Sequence, residues 1–489
     1  MHKHPNVLLL ILDSTRAQNM GLYGYERQTT PFLERFAENA TLYTQARAPS
    51  IHSIASHVSM FTGKHLEEHE AIRHTAQIDT DRTIWHTLQT ECDYSTGLFT
   101  NNRIVSTVSN LGDCFEYKYE PRYPLAKRLE SRIPLFEDAY YPGAEKGFSG
   151  ALEHTKRSIQ DDSSIKSVAN CVYQQVLNSA GYAERMFLNP DTEYNTMAGD
   201  IFTDAFLSWE SSQRSPWAAC INLMDTHSPY QPAPEFDRWS DDETRRIQEG
   251  DTPSVKKLFN GAGWEQRVKL EDLYDGTILQ TDAIVRELTN ELETRGVLDN
   301  TLVILTSDHG DAFGEMSRVN PDVRLAGHLW GIHEVLTHVP LIVKYPEQRE
   351  GEVVDDVVSL TDLPALIHAV TTNDGDVKSA LESEVVLAST FRLLEDKAPP
   401  QDGVDRYIGP WRAVYRNHDG AVRKYAQKGE HYVTLDIPKP GEATVLSRDP
   451  HEVVETEYAK LDSSGILTER TSEIGDALEE HLEDLGYIR

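Results

Sequence analysis

Three short apolar runs recur along the chain, and each stops at a polar cluster that contains a carboxylate. Residues 7–12 (Val-Leu-Leu-Leu-Ile-Leu) end at Asp13, residues 218–224 (Ala-Ala-Cys-Ile-Asn-Leu-Met) at Asp225-Thr226-His227, and residues 301–307 (Thr-Leu-Val-Ile-Leu-Thr-Ser) at Asp308-His309-Gly310. Continuous apolar runs of this length fit strands of a parallel sheet covered on both faces. Residues 30–39 and 271–293 read as helices between them. In the second, Leu273, Ile278, Leu279, Ile284, Val285, Leu288 and Leu292 follow a 3.6-residue period. This alternation of strand and helix predicts an α/β fold with a large, doubly wound, mostly parallel central sheet. In such sheets the ligand crevice lies at the carboxyl ends of the strands. Carboxylates hundreds of residues apart are therefore expected to meet along one sheet edge.

The pattern changes twice. Residues 115–200 mix Pro, Tyr and charged side chains, which predicts a partly helical, lid-like insertion that sets substrate preference. From about 375 the runs become short and alternating, at 412–415, 424–427 and 431–435, before a helical stretch at 471–485. The expected organisation is a catalytic α/β domain over 1–374 and a small C-terminal subdomain over 375–489, an antiparallel sheet plus helix.

Composition narrows the partners. Against 79 Asp+Glu stand 47 Lys+Arg, a formal net charge of −32. Phosphate backbones and anionic lipid surfaces reward the opposite sign, so neither a nucleic-acid partner nor a basic membrane contact is expected. Oligomeric state is not legible. The acidic residues are dispersed and Lys is outnumbered by Arg, a surface expected of an acidic, halophilic protein working where salt screens self-repulsion. Cys92, Cys114, Cys171 and Cys220 lack metal-site spacing and are expected as buried free thiols. The first apolar run falls far short of the ~18 residues of a membrane helix. With no cleavage-site pattern after it, the expected location is cytoplasmic.

The candidate chemistry sits at the strand ends. Ser53, in the segment 53–63 (SIASHVSMFTG), suits a helix N-cap, where a hydroxyl meets the partial positive charge of the helix terminus. A plain cap is the competing reading. Asp308-His309-Gly310 offers a hard carboxylate and an imidazole beside a flexible turn, suited to a metal and equally to a capped helix start.

In combination these segments resemble the sulfatase family of the alkaline phosphatase superfamily, here with Ser at the nucleophile position. The resemblance rests on 6–25 (NVLLLILDSTRAQNMGLYGY), 53–63, 274–282 (YDGTILQTD), 300–310 (NTLVILTSDHG), 333–343 (HEVLTHVPLIV), 359–366 (SLTDLPAL) and 448–453 (RDPHEV). It implies that Asp13, Asp308 and His309 hold one divalent cation (Mn, Mg, Ca or Zn), with Asp225 supporting them. It implies Ser53 as nucleophile, either as the hydroxyl or after oxidation to formylglycine, and His57 in place of the family's Arg. His227 and His328 take catalytic, substrate-contacting roles, with His333 a rival to His328. Asn101 or Asn102 contacts the anionic group. Ser14 stands where many relatives carry a second Asp, and Ala55 where Pro often stands. The implied activity is hydrolysis of sulfate esters, possessed of a small-molecule or saccharide alcohol half. The alternatives are a phosphodiesterase or phosphonate monoester hydrolase, a phospho-headgroup transferase, and a non-catalytic homologue.

Overall fold

The computed structural model describes residues 4–119, 199–372, 377, 379–391 and 404–468 of the 489-residue chain. Its centre is an eight-stranded sheet in the order β4-β3-β5-β1-β6-β7-β2-β8. The strands are β1 (Asn6–Leu12), β2 (Thr41–Arg47), β3 (Ser95–Thr100), β4 (Tyr117–Tyr119), β5 (Trp217–Leu223), β6 (Thr301–Thr306), β7 (Leu341–Lys344) and β8 (Glu352–Ser359). Only β7 runs antiparallel to its neighbours. The mostly parallel α/β sheet anticipated from the apolar runs is therefore present.

Side-chain alternation along β1 explains the two layers. Val7, Leu9 and Ile11 enter one core with Ile54, Val58 and Phe61 of α2 (Ser53–Thr62) and Trp85 and Leu88 of α3 (Ile84–Cys92). Leu8, Leu10 and Leu12 enter the other, with Phe202 and Phe206 of α4 (Gly199–Glu210) and Leu273, Ile278 and Val285 of α5 (Glu271–Thr294). Both faces of a central strand are buried, so the period of two is masked and the sequence reads as one apolar run.

The long helix α5 does more than pack. Tyr274 Oη accepts from Arg16 N and donates to Ser14 O, both at 2.8 Å. Asp275 accepts from Asn19, Tyr25 and Arg27. Asp282 accepts from the backbone N–H groups of Phe32 and Leu33, at the start of α1 (Pro31–Ala37). One helix thus pins the whole segment leaving β1.

A second sheet, β13-β12-β11-β10-β9, is antiparallel: β9 (Val386–Thr390), β10 (Trp411–His418), β11 (Ala421–Lys428), β12 (His431–Lys439) and β13 (Glu442–Ser447). It matches the alternating runs read from 412, 424 and 431, and adds two strands that were not foreseen. Its inner face packs on Ile51, Trp330, Ile332, Val335 and Leu336. Lys424 Nζ bonds Glu334 Oε1 at 2.7 Å and also the carbonyl of Ile332. Ser389 N donates to Pro49 O at 3.0 Å. The small sheet therefore braces the loop before α2 and the loop after β6 together.

Of the expected insertion, residues 117–119 form edge strand β4 and residues 199 and 200 begin α4; its body lies outside the described residues, as do the expected boundary near 374, the helix at 471–485 and Cys171. Cys92, Cys114 and Cys220 are free, with Cys92 only half-buried. Among the described residues no helix is long and apolar enough to cross a membrane.

Beneath α2, His69 closes a one-turn helix (Leu66–His69) and takes Ala71 N on Nδ1 at 3.0 Å, so its Nε2–H donates to Ser59 Oγ at 3.0 Å. Burial pushes its pKa down from 6.5 to about 3. The folded chain holds this imidazole neutral, whereas the unfolded chain protonates it below its ordinary value. The contribution is present above pH 6.5 and is lost as pH falls towards 3. His69→Gln should cost about 1 kcal/mol at neutral pH and flatten the loss of stability between pH 6.5 and 3, measured by urea unfolding. An unchanged slope would show that this histidine does not titrate on unfolding.

Candidate active site

Five strand ends meet at one edge of the large sheet. β1 delivers Asp13 and Ser14, β3 delivers Asn101 and Asn102, β5 delivers Asn222 and then Asp225 to His227, and β6 delivers Asp308 and His309. β2 leads through Ala48-Pro49-Ser50 into α2. Register makes the meeting exact to a residue: Ile11 pairs with Thr306 and with Asn222, so Asp13 and Asp308 each follow by two residues.

Asp13, Asp308 and His309 are fully buried, and one ligand atom from each lies within 4.8 Å of the others. His309 Nδ1 bonds the carbonyl of Gly310 at 3.0 Å. That bond takes the ring proton, and Nε2 is left with a lone pair. It faces Asp308 Oδ2 at 3.4 Å. Asp308 Oδ1 accepts from Ser14 N at 3.2 Å and His309 N at 3.0 Å, while Oδ2 has no hydrogen-bond donor among the described residues. Asp13 Oδ1 accepts from Ser14 Oγ at 2.9 Å, and its Oδ2 accepts from Asn102 Nδ2 at 2.9 Å and Asn222 Nδ2 at 3.3 Å. Electron pairs facing one another with no proton between them, in a set of two carboxylates and one imidazole, fit a divalent cation. The backbone accommodates this at two points. Ser14 adopts φ 63°, which aims its N–H at Asp308. Gly310 has the Val335 carbonyl where a Cβ would lie, 2.0 Å away, so no side chain fits there.

Ser53 is the first residue of α2, and His52, in extended geometry, holds the cap position expected of Ser53. The Ser53 hydroxyl makes no cap bond; it lies 3.4 Å from His309 Nε2. His57, one turn on, bonds the Ser53 carbonyl through Nδ1 at 2.8 Å and Asn222 Nδ2 through Nε2 at 3.0 Å. Burial pushes its pKa down, against the pull of Asp308 and Asp13.

The other expected residues divide into two groups. The His328 ring lies 4.4 Å from that of His309 and 5.3 Å from that of His227. His227 is fixed through Nδ1 to the Ser228 carbonyl at 2.6 Å. Burial and the adjacent His309 push the His328 pKa down to about 3 despite Asp311, so it is neutral near pH 7. Of the two amides, Asn102 reaches Asp13, whereas Asn101 is buried beside it. His333 stands apart. It caps the short helix Glu334–Thr337 and contacts Arg318 Nε at 3.0 Å, an arrangement that serves the brace under the small sheet. Asp225 turns Oδ1 to Gly199 N at 3.1 Å and Gln280 Nε2 at 2.9 Å, and burial raises its pKa to about 6.

Four contributors escaped the sequence reading. Asn222 interrupts an otherwise apolar run, the one signal that was available. His52 lies with its ring 6.2 Å from that of His328. Asp311 faces His328 Nδ1 at 3.7 Å, and Arg267, then His328 and Tyr230, outweigh burial to hold its carboxyl well below the usual range. Arg16 is fully buried, pairs with Glu315 and Glu271, and bonds the Asp311 carbonyl at 3.3 Å. Charged residues in a loop give no sign of such pairing.

Residues 5–372 match the sequence model of the sulfatase family. The chain is 23% identical over 401 residues to an N-acetylglucosamine-6-O-sulfatase of Bacteroides thetaiotaomicron, covering 73% of this chain and 66% of that protein. It is 24% identical over 393 residues to the human N-acetylglucosamine-6-sulfatase, covering 76% of this chain and 62% of the relative. The chain thus spans about two thirds or less of the length of these curated relatives. The fold is shared with the phosphonate monoester hydrolase of Agrobacterium radiobacter, at TM-score 0.57 and 16% identity over 93% of both chains.

Titrating Mn²⁺ into chelator-treated protein should raise the melting temperature, with one ion bound by calorimetry. Asp308→Asn should weaken that binding on the order of 100-fold, at least what loss of an outer partner typically costs. Asp225→Asn should change it by less than about threefold, because Asp225 bonds Gly199 and Gln280 instead. Equal losses in both variants would remove the three-residue site from consideration.

Proposed function

The chain belongs to the sulfatase family, and on that footing we propose that it hydrolyses sulfate monoesters with the side chain of residue 53 as nucleophile. One observation carries the reading: Ser53 Oγ lies 3.4 Å from His309 Nε2, the same nitrogen that faces Asp308 Oδ2. The names of the relatives, both N-acetylglucosamine 6-sulfatases, support a sulfated sugar as substrate.

Asp13, Asp308 and His309 would hold one divalent cation, which supplies Lewis-acid polarisation and lowers the pKa of a hydroxyl beside it. Ser53 Oγ, having lost its proton to solvent water, attacks sulfur, and the bond from sulfur to the alcohol oxygen breaks. His227 is the group we assign to protonate the departing oxygen, a step typically worth about 10²–10⁴-fold. His328 is neutral near pH 7 and instead lines the site as a hydrogen-bonding imidazole. The N-terminal amides of α2 and the Asn101–Asn102 pair steady the charge growing on the sulfuryl oxygens. Water then displaces the alcohol-free sulfate from residue 53.

A phosphate diester or phosphonate monoester is the second reading. It is favoured by one departure from the family signature: His57 stands where the Arg that accompanies conversion of residue 53 to formylglycine is expected. An unconverted serine hydroxyl is a natural phosphoryl acceptor.

Ser53→Ala should lower kcat at least about 10³-fold with folding intact, as loss of a nucleophile does; retained turnover would refute the assignment. Parallel assays on an aryl sulfate, a phosphate diester and a phosphonate monoester should rank the sulfate first. A higher kcat/KM on either phosphorus ester would overturn the sulfate reading in favour of the second. The mass of the residue-53 peptide from the native host reports conversion to formylglycine as a loss of two hydrogens.

A further inference from the structure

The signature Arg of the family is absent, yet position 57 is not slack. Its ring is buried, with the edge of Phe61 packed against it at 5.8 Å between centroids. Both ring nitrogens are engaged, Nδ1 with the Ser53 carbonyl at 2.8 Å and Nε2 with Asn222 Nδ2 at 3.0 Å. Asn222 decides the chemistry of that contact. Its second amide hydrogen goes to Asp13 Oδ2 at 3.3 Å. Reversing the amide would set its carbonyl oxygen against a carboxylate, so Asp13 fixes which end faces the ring. The amide therefore donates to His57 Nε2, which must accept. The ring proton is then on Nδ1, where it donates to the Ser53 carbonyl.

We propose that Asn222 is a positioning residue: its amide anchors the accepting Nε2 of His57, whose Nδ1–H goes to the Ser53 carbonyl, and through that ring it fixes the first turn of α2 that carries Ser53. The connection runs from Asp13 on β1 through Asn222 on β5 and His57 to the backbone of Ser53 on α2. It ties the nucleophile's backbone to a carboxylate of the candidate cation site by hydrogen bonds alone. The strand makes the role specific. β5 is buried along its whole length, and its neighbours at this level are Ile11 and Thr100. Asn222 Oδ1 has no hydrogen-bond partner among the described residues. An apolar residue would leave no such orphan, so packing does not explain an amide here, whereas its two N–H groups do. The catalytic part of this inference rests on the reading of Ser53 as nucleophile; the tautomer part does not.

Two measurements test it. In ¹⁵N-histidine-labelled protein, the His57 ring should carry its proton on Nδ1, and Asn222→Ala should shift the resonance of the unprotonated Nε2, which loses its donor, while the other histidine signals stay in place. A parent ring protonated on Nε2, or an Nε2 resonance unmoved by the substitution, would overturn the proposal; the parent spectrum decides even if the variant fails to fold. Kinetically, Asn222→Ala should lower kcat on the order of 100-fold with KM little changed, the scale of loss from a small misplacement of a reacting group. In a His57→Arg background, where no imidazole is left to orient, the same substitution should cost less than about threefold, a coupling that a purely structural role would not produce. Equal losses in both backgrounds would overturn it. If Ser53→Ala retains turnover, the proposed function fails while the tautomer result still decides the Asn222–His57 contact.

Discussion

Mutual repulsion among three buried electron-pair donors is the constraint around which the rest of the protein is arranged. Asp308 Oδ2 and His309 Nε2 stand 3.4 Å apart, and Asp13 closes the group. Left to themselves, such groups would separate or take up protons. Here they cannot separate, because each is the continuation of a central strand whose register is set by a parallel ladder. Nor can they turn outwards, because Ser14 N, Ser14 Oγ, Asn102 and Asn222 hold their other lone pairs. A rigid sheet edge can keep like partners together in a way that a loop cannot, and this is why a cation site belongs there.

Holding them has consequences further back. The segment after β1 would swing away without Tyr274, which bonds both Ser14 and Arg16 from α5. Arg16 is a fully buried cation, and such a charge is tolerable only when paired. Glu271 and Glu315 pair it, and so join α5 to the loop after β6. That same loop carries His328 and is gripped from the other side by Lys424 and Glu334. The small sheet therefore acts at a distance. It contributes no ligand of the three-residue group, yet it stiffens both the approach to Ser53 and the loop of His328.

What could be read from the chain follows from this division. The strands were legible because full burial writes an uninterrupted apolar run, and the convergence of Asp13 and Asp308 because each of their runs stops abruptly at an acid. The direction of a hydrogen bond leaves no such trace. Ser53 resembles an N-cap in sequence, but the structure gives that place to His52, since the hydroxyl is turned towards His309. His333, the rival to His328, has its side chain at the N-cap of a four-residue helix and against Arg318, a placement no local pattern announces. Asn222, Asp311 and Arg16 were missed for one reason: their partners come from other strands and helices, 165 positions away in the case of Asn222 and His57.

Replacing the signature Arg by His57 also moves the positive charge of the site. His57 has both nitrogens committed, and His328 is neutral near pH 7. The nearby cations Arg16 and Arg267 are paired with Glu271, Glu315 and Asp311. Among the described residues, attraction for an anionic ester would thus rest on a cation held by Asp13, Asp308 and His309, together with the start of α2, His227 and the Asn101–Asn102 pair. Such a dication would itself be offset by Asp13 and Asp308. A sulfate monoester brings one negative charge and a phosphate monoester nearly two. In a buried site where each uncompensated charge is expensive, the singly charged ester is the better match, and a phosphate diester shares that charge. The electrostatics therefore separate monoanions from dianions more sharply than they separate sulfur from phosphorus, which is why competition between the sulfate and the diester, rather than the phosphate monoester, is the discriminating comparison.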